Sequence, residues 1–170
     1  VEKNKGVCGV DGMQTDELRD FLHTHYVDIG QQILEGIFKP NSVKKVEISK
    51  PDGGKRMLGI PTVLDRTLQQ AISQRLVSIY ELEFSGYSYG FRRGRNAHQA
   101  VRQAEKYLND GFTHVVELDL EKFFDTVNHD RLISILRQKV KDERLLRLIR
   151  LYLKSGIMEG GVTSVRTEGT

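Results

Sequence analysis

Asp119 is the residue whose position first suggests chemistry. Residues 113–118 read Thr-His-Val-Val-Glu-Leu, a β-branched, apolar run that predicts a strand delivering the Asp119 carboxylate at its end. A carboxylate emerging from a strand can hold a divalent cation, because Mg²⁺ takes oxygen ligands and keeps several waters. In phosphoryl transfer a pair of such ions activates the attacking hydroxyl and stabilises the leaving oxygen. A strand-end aspartate by itself is more often a turn or helix cap. The residues after it sharpen the case. Leu120 brings a backbone carbonyl beside the carboxylate, and Phe123-Phe124 offers a flat apolar wall suited to a sugar or base. Phe123 is expected to pack in the core, and Asp125 to cap or orient a helix rather than to bind metal.

The charge pattern points to a polyanion. Formal net charge is only +3 and the pI about 9.0. Yet residues 39–56 carry six cations against Glu47 and Asp52, and residues 91–106 carry five against Glu105. Residues 131–154 carry eight against Asp142 and Glu143, whereas residues 111–130 hold five carboxylates against Lys122. Basic blocks around one acidic block fit nucleic acid plus a metal site, although each block alone also fits a solvated helix face.

These groups need a scaffold. The 170 residues, 38% hydrophobic and 29% charged, suit a globular chain of one domain or two small lobes. No apolar run reaches the ~18–20 residues of a membrane span, and the opening residues lack the apolar stretch of a signal peptide. The single cysteine, Cys8, forms no disulfide framework and reads as an ordinary loop residue in a reducing, cytoplasmic setting. A helical stripe runs from Thr15 through Leu18, Leu22, Ile29 and Ile33 until Pro40-Asn41 breaks it. Residues 43–60 predict a β-hairpin around Pro51-Asp52-Gly53-Gly54. Helices follow over 63–82 and 97–108, with a Gly-rich loop between them over 84–96. Further helices begin near Asn128, and the tail 155–170 reads as a hairpin or loop. The fold class is α+β.

Four blocks, in order, resemble the reverse transcriptases of group II introns. Asp11-Gly12-Met13 is similar to the family's N-terminal extension motif. Residues 46–62 (Val-Glu-Ile-Ser-Lys-Pro-Asp-Gly-Gly-Lys-Arg-Met-Leu-Gly-Ile-Pro-Thr) resemble its fingers hairpin. Residues 88–98 (Ser-Tyr-Gly-Phe-Arg-Arg-Gly-Arg-Asn-Ala-His) resemble the next block. Residues 116–129, centred on Leu118-Asp119-Leu120 and Phe123-Phe124-Asp125, resemble the first catalytic motif of the palm. The family more often has proline where Met57 and Arg93 stand, a departure that bears only on loop stiffness.

The resemblance implies a right-hand polymerase fold, with helix-rich fingers over 1–110 and the first part of a palm over 111–170. It implies that Asp119 is catalytic and binds Mg²⁺ or Mn²⁺ with help from the Leu120 carbonyl. Phe124 would lie under the incoming sugar and disfavour a 2′-hydroxyl. Lys50 and Arg56 would grip the triphosphate of a dNTP, and Gly53 and Gly54 would let the hairpin bend close to it. Arg92, Arg93 and Arg95, near Tyr87, Tyr89 and Phe91, would face an RNA strand. The implied partners are intron RNA, an RNA template, a DNA primer and dNTP, in a bacterial, nucleic-acid-associated setting without a membrane.

The family's second catalytic motif, Tyr-x-Asp-Asp, is absent, and the chain contains no Asp-Asp pair. The Pro-Gln-Gly motif would follow directly after Thr170. The expectation is therefore a piece of an RNA-directed DNA polymerase that cannot polymerise alone; Glu121 and Asp125 belong to the same local segment as Asp119 and do not replace the missing carboxylates. Three other readings stay open: an RNA-binding module without chemistry, a nuclease using Glu117 and Asp119 on one strand face, and a homodimer formed through exposed palm surface.

Overall fold

The computed structural model describes residues 1–49, 53–164 and 167–170, and only the backbone of Arg56. The described residues form five α-helices and a four-stranded sheet: α1 (Leu18–Glu35), β1 (Val43–Ser49), β2 (Lys55–Ile60), α2 (Val63–Tyr80), α3 (Ala97–Asn109), α4 (His129–Arg137), α5 (Glu143–Lys154), β3 (Ile157–Glu159) and β4 (Val162–Ser164). This is the expected α+β class, with the hairpin and the helices near their predicted bounds. The chain divides into two compact units, residues 1–71 with 122–170 and residues 72–121, and α2 passes from one to the other.

The first unit holds the core. The sheet runs β2-β1-β3-β4. β1 and β2 pair antiparallel from Lys44↔Ile60 to Ser49↔Lys55, and the short β3 joins β1 in parallel through Val43↔Ile157. Leu18 and Ile29 of α1, Ile133 of α4 and Leu146 and Leu148 of α5 are buried together with Phe38, Val63 and Val140.

A buried polar node ties the sheet to two helices. Thr62 and Asp65, at the start of α2, bond reciprocally: the Thr62 hydroxyl donates to Asp65 Oδ2 at 2.7 Å and accepts from the Asp65 N–H at 3.1 Å. This satisfies donors that a helix start otherwise leaves open. Asp65 is 1% exposed and also accepts from the Asn41 N–H at 3.1 Å, the Asn41 side chain at 3.3 Å and the Tyr152 hydroxyl at 3.2 Å. One carboxylate thereby fixes the chain entering β1, the start of α2 and the end of α5. Burial, and then the neighbouring Asp65 charge, push the Tyr152 hydroxyl far above the ordinary phenol range.

The second unit is different: among its 50 residues none is fully buried. It holds the second half of α2, a 3₁₀ turn over Glu81–Glu83, the loop 84–96, α3 and the segment 110–121. The aromatic rings of Tyr87, Tyr107 and Phe112 meet at centroid distances of 6.2 and 5.8 Å. A hydrogen bond with Tyr87 is the main reason that the Tyr107 hydroxyl lies above its usual pKa.

The predicted strand over 113–118 does not form. Residues 113–120 carry no regular secondary structure, and Val115, Val116 and Leu118 are 86%, 82% and 90% exposed. A strand needs a neighbour for its N–H and C=O groups, and no described strand pairs with this segment.

Candidate active site and nucleic-acid interface

Asp119 and Leu120 lie in the second unit at the end of this unpaired segment. Both are exposed, and the Leu120 N–H donates to Asp119 Oδ1 at 2.9 Å. The second carboxylate oxygen and the Leu120 carbonyl are hard oxygen donors of the kind Mg²⁺ takes. They fit part of a ligand set. Among the described residues no group of three His, Cys, Asp or Glu side chains is close enough to hold a metal. The Glu117–Asp119 nuclease reading assumed the alternation of a paired strand, and that premise fails with the strand itself.

Phe124 belongs to the first unit, in a 3₁₀ turn over Phe123–Asp125. Its ring meets Phe123 edge-on at 5.4 Å, and it is 66% exposed, as a platform for a ligand must be. Phe123 is itself half exposed, so the expectation of core packing is corrected: both rings sit on an exposed surface turn. Asp125 does not cap the following helix. Asn128 does, accepting from the Arg131 N–H at 2.9 Å.

The backbone of the Phe124 turn is clamped from the far end of the chain. Thr170 donates its N–H to the Phe124 carbonyl and Gly169 donates to that of Val127, both at 2.9 Å. His129, 4% exposed at the start of α4, bonds the Gly169 carbonyl through Nε2 at 2.7 Å. A carbonyl only accepts, so Nε2 carries the proton. Gly169 sits at φ +82, and a Cβ there would lie 2.9 Å from the Asp125 carbonyl oxygen. Only glycine suits the position. Sequence reasoning missed His129 and Gly169 as positioning residues, because their contact spans 40 residues and leaves no local pattern.

A cavity of about 330 Å³ opens beside this turn, between β1, β2, α5 and β3; Lys45, Gln69, Asp125 and Tyr152 are its polar lining with Ser155 and Thr170. Of the two hairpin cations, Lys50 lies outside the described residues. Arg56 is placed on β2 opposite Ile48. Gly53 has φ +81, in the left-handed region that favours glycine. Lys55 pairs with Glu47 at 2.6 Å on the exposed face.

The three arginines of the loop 84–96 divide sharply. Arg92 turns inward, its side chain only 9% exposed. Its Nε and Nη2 bond Glu81 Oε1 at 3.0 and 2.8 Å, and Nη1 bonds the carbonyls of Ser85 and Ser88 at 2.7 and 3.1 Å. Its guanidinium also lies 5.4 Å from the centre of the Phe84 ring. These donors bind the protein itself, and Arg92 thereby staples the loop. Arg93 is exposed, and the Arg95 guanidinium lies 5.6 Å from the centre of the Tyr89 ring. The loop ends on a capping box in which Asn96 and Gln99 bond each other's backbone N–H at 3.1 and 3.0 Å. The loop presents Arg93, Tyr87 and Phe91 to solvent.

Comparison with known proteins settles the class. The family model described as reverse transcriptase (RNA-dependent DNA polymerase) matches residues 48–169. Protein YkfC of Escherichia coli is 34% identical over 165 residues, covering 95% of this chain and 43% of its own. The group II intron-encoded protein LtrA of Lactococcus lactis is 34% identical over 157 residues, covering 92% of this chain and 26% of its own. Nuclear intron maturase 1, mitochondrial, of Arabidopsis thaliana is 32% identical over 94 residues, covering 55% of this chain and 13% of its own. The chain belongs to the reverse transcriptase/maturase family of group II introns. It spans less than half the length of the first two relatives. Such proteins act on nucleic acids with divalent metal, and no helix among the described residues is long and apolar enough to cross a membrane.

Proposed function

We propose that the chain supplies the fingers, residues 1–110, and the first part of the palm, residues 111–170, of a group II intron RNA-directed DNA polymerase. By itself it holds RNA without polymerising. The observation that carries this is the stapled loop 84–96, which carries the exposed Arg93 and the half-buried Arg95–Tyr89 pair within a chain of this family. Cations on phosphates with aromatics beside bases suit single-stranded RNA. Intron RNA and a template strand are the proposed ligands, in a bacterial, nucleic-acid-associated setting.

Polymerisation needs more than the chain holds. Asp119 and the Leu120 carbonyl would hold Mg²⁺ or Mn²⁺, which supplies Lewis-acid stabilisation of the transferred phosphoryl group when bound. Lys50 and Arg56 would bind the triphosphate, and Phe124 would exclude a 2′-hydroxyl. The unpaired, exposed segment 113–118 would pair with strands that bring further carboxylates, converting exposed apolar surface into buried sheet.

The test is RNA binding by the chain across a salt series. Each cation on a phosphate of a single strand contributes about 0.7 to the slope of log affinity against log salt. Arg93→Ala/Arg95→Ala is expected to lower the slope by about 1.4, whereas Lys50→Ala/Arg56→Ala leaves RNA affinity nearly unchanged. Salt-insensitive binding, or equal loss in both variants, contradicts the assignment.

A further inference from the structure

Phe91 combines two features that cost a folded chain and bring it nothing by themselves. Its side chain is 108% exposed, the highest value among the large apolar residues. Its backbone lies at φ +55, in the left-handed region that a bulky residue rarely adopts. Such strain persists only where the surroundings impose it. Here they do. Arg92, the next residue, is locked to Glu81, Ser85 and Ser88, the Arg95 N–H bonds the Arg92 carbonyl at 3.2 Å, and Gln99 Nε2 reaches back to the Gly94 carbonyl at 3.3 Å. The loop is fastened on both sides of Phe91, and the ring is held in water with no packing around it.

From this we infer that Phe91 is a stacking platform for an unpaired base of single-stranded RNA, an inference that rests on the chain's holding RNA at this loop. Charge selects that occupant. The exposed Arg93 and the Arg95 guanidinium over Tyr89 lie within four residues of the ring, and residues 91–104 contain no acidic side chain. A protein surface accepting Phe91 would need a pocket and matching acids. A single strand offers a bare base face to the ring and phosphates to the arginines together. Paired bases offer no free face, so a duplex would bind through the cations alone. Arg92 is the positioning residue, aiming Phe91 without touching the ligand.

The experiment uses the whole 170-residue chain and a single-stranded RNA oligomer carrying 2-aminopurine, with the same RNA annealed to its complement as control. Phe91→Gly removes the ring and relieves the positive φ, so its melting temperature is expected to hold or rise. Its affinity for the single strand is expected to fall about 5- to 150-fold, the range for loss of one stacked base, with the salt slope and duplex affinity unchanged. Phe91→Tyr keeps a stacking ring and is expected to restore affinity and the quenching of 2-aminopurine fluorescence. If wild type binds RNA with a salt slope but Phe91→Gly binds equally well, the stacking role is overturned while RNA binding at the loop stands. If wild type shows no salt-dependent binding, both fall together.

Discussion

Arg92→Ala separates a positioning arginine from a binding one. The wild-type guanidinium holds Glu81 and the Ser85 and Ser88 carbonyls. Glu81 Oε2 is already buried without a hydrogen-bond partner among the described residues. Removing Arg92 would strip Oε1 as well. Breaking a fully buried pair costs about 3–5 kcal/mol. The Glu81 side chain is 33% exposed, so water offsets part of this, and roughly 2–3 kcal/mol is expected here. That energy falls on a unit with no fully buried residue, so the loop opens locally before the core unfolds. Opening by 2–3 kcal/mol corresponds to about a 30- to 150-fold loss of amide hydrogen-exchange protection. The assay is exchange monitored by mass spectrometry over peptides spanning 81–96, beside RNA binding in a salt series. The expected result is lost protection at the loop, unchanged protection in α5, weaker RNA binding and an unchanged salt slope. Unchanged protection with a slope lower by about 0.7, one phosphate contact, would show that Arg92 is itself the contact and would refute the reasoning.

Other consequences follow from the first unit. Asp65→Ala would leave the buried Thr62 hydroxyl and the half-buried Tyr152 hydroxyl without their acceptor; at about 1–3 kcal/mol for each unsatisfied group, urea denaturation should show a loss of at least about 2 kcal/mol, and a loss under about 1 kcal/mol would contradict the node's role. The folded-state pKa of Tyr152 is raised, so the unfolded chain releases this proton first as pH climbs. Stability is then full below the ordinary tyrosine pKa of about 10 and falls above it; Tyr152→Phe should flatten that alkaline limb in thermal melts. On the acid side, hydrogen bonds from Arg144 lower the Asp142 pKa and those from Arg137 lower the Glu143 pKa. Their stabilising effect is present above the ordinary carboxylate values and fades as pH falls through the lowered ones, so Asp142→Asn should make helicity less sensitive to acid by circular dichroism. Gly169→Ala meets the Asp125 carbonyl and should lower the melting temperature, whereas Gly12→Ala, with open space around it, should lower it less.

Much of the scaffold is legible in the sequence because its signals are local. The hairpin strands β1 and β2 form where the sequence predicts them, and Leu18, Ile29, Ile133, Leu146 and Leu148 of the predicted stripes lie in the core. The segment 113–118 misleads for a physical reason. Val115, Val116 and Leu118 have strand character, but strand character becomes a strand only when a neighbour accepts its hydrogen bonds. Arg92, Arg93 and Arg95 look alike in sequence, and only the position of Glu81, eleven residues earlier, distinguishes the staple Arg92 from the exposed Arg93 and the half-buried Arg95. The Asp65 node and the His129–Gly169 clamp join distant segments, so no spacing rule reveals them. Family motifs single out Asp119 and Phe124 as candidates where composition alone does not, and these residues fall in different compact units.

The most direct test of the central claim is one experiment with the purified chain, a DNA primer annealed to an RNA template with a single-stranded overhang, dNTPs and Mg²⁺, resolved both on a native gel and by primer length. A salt-sensitive shifted complex and no lengthening of the primer are predicted, since the sequence contains no Asp-Asp pair. Primer extension that is lost in Asp119→Ala, or the absence of any complex at low salt, would contradict it.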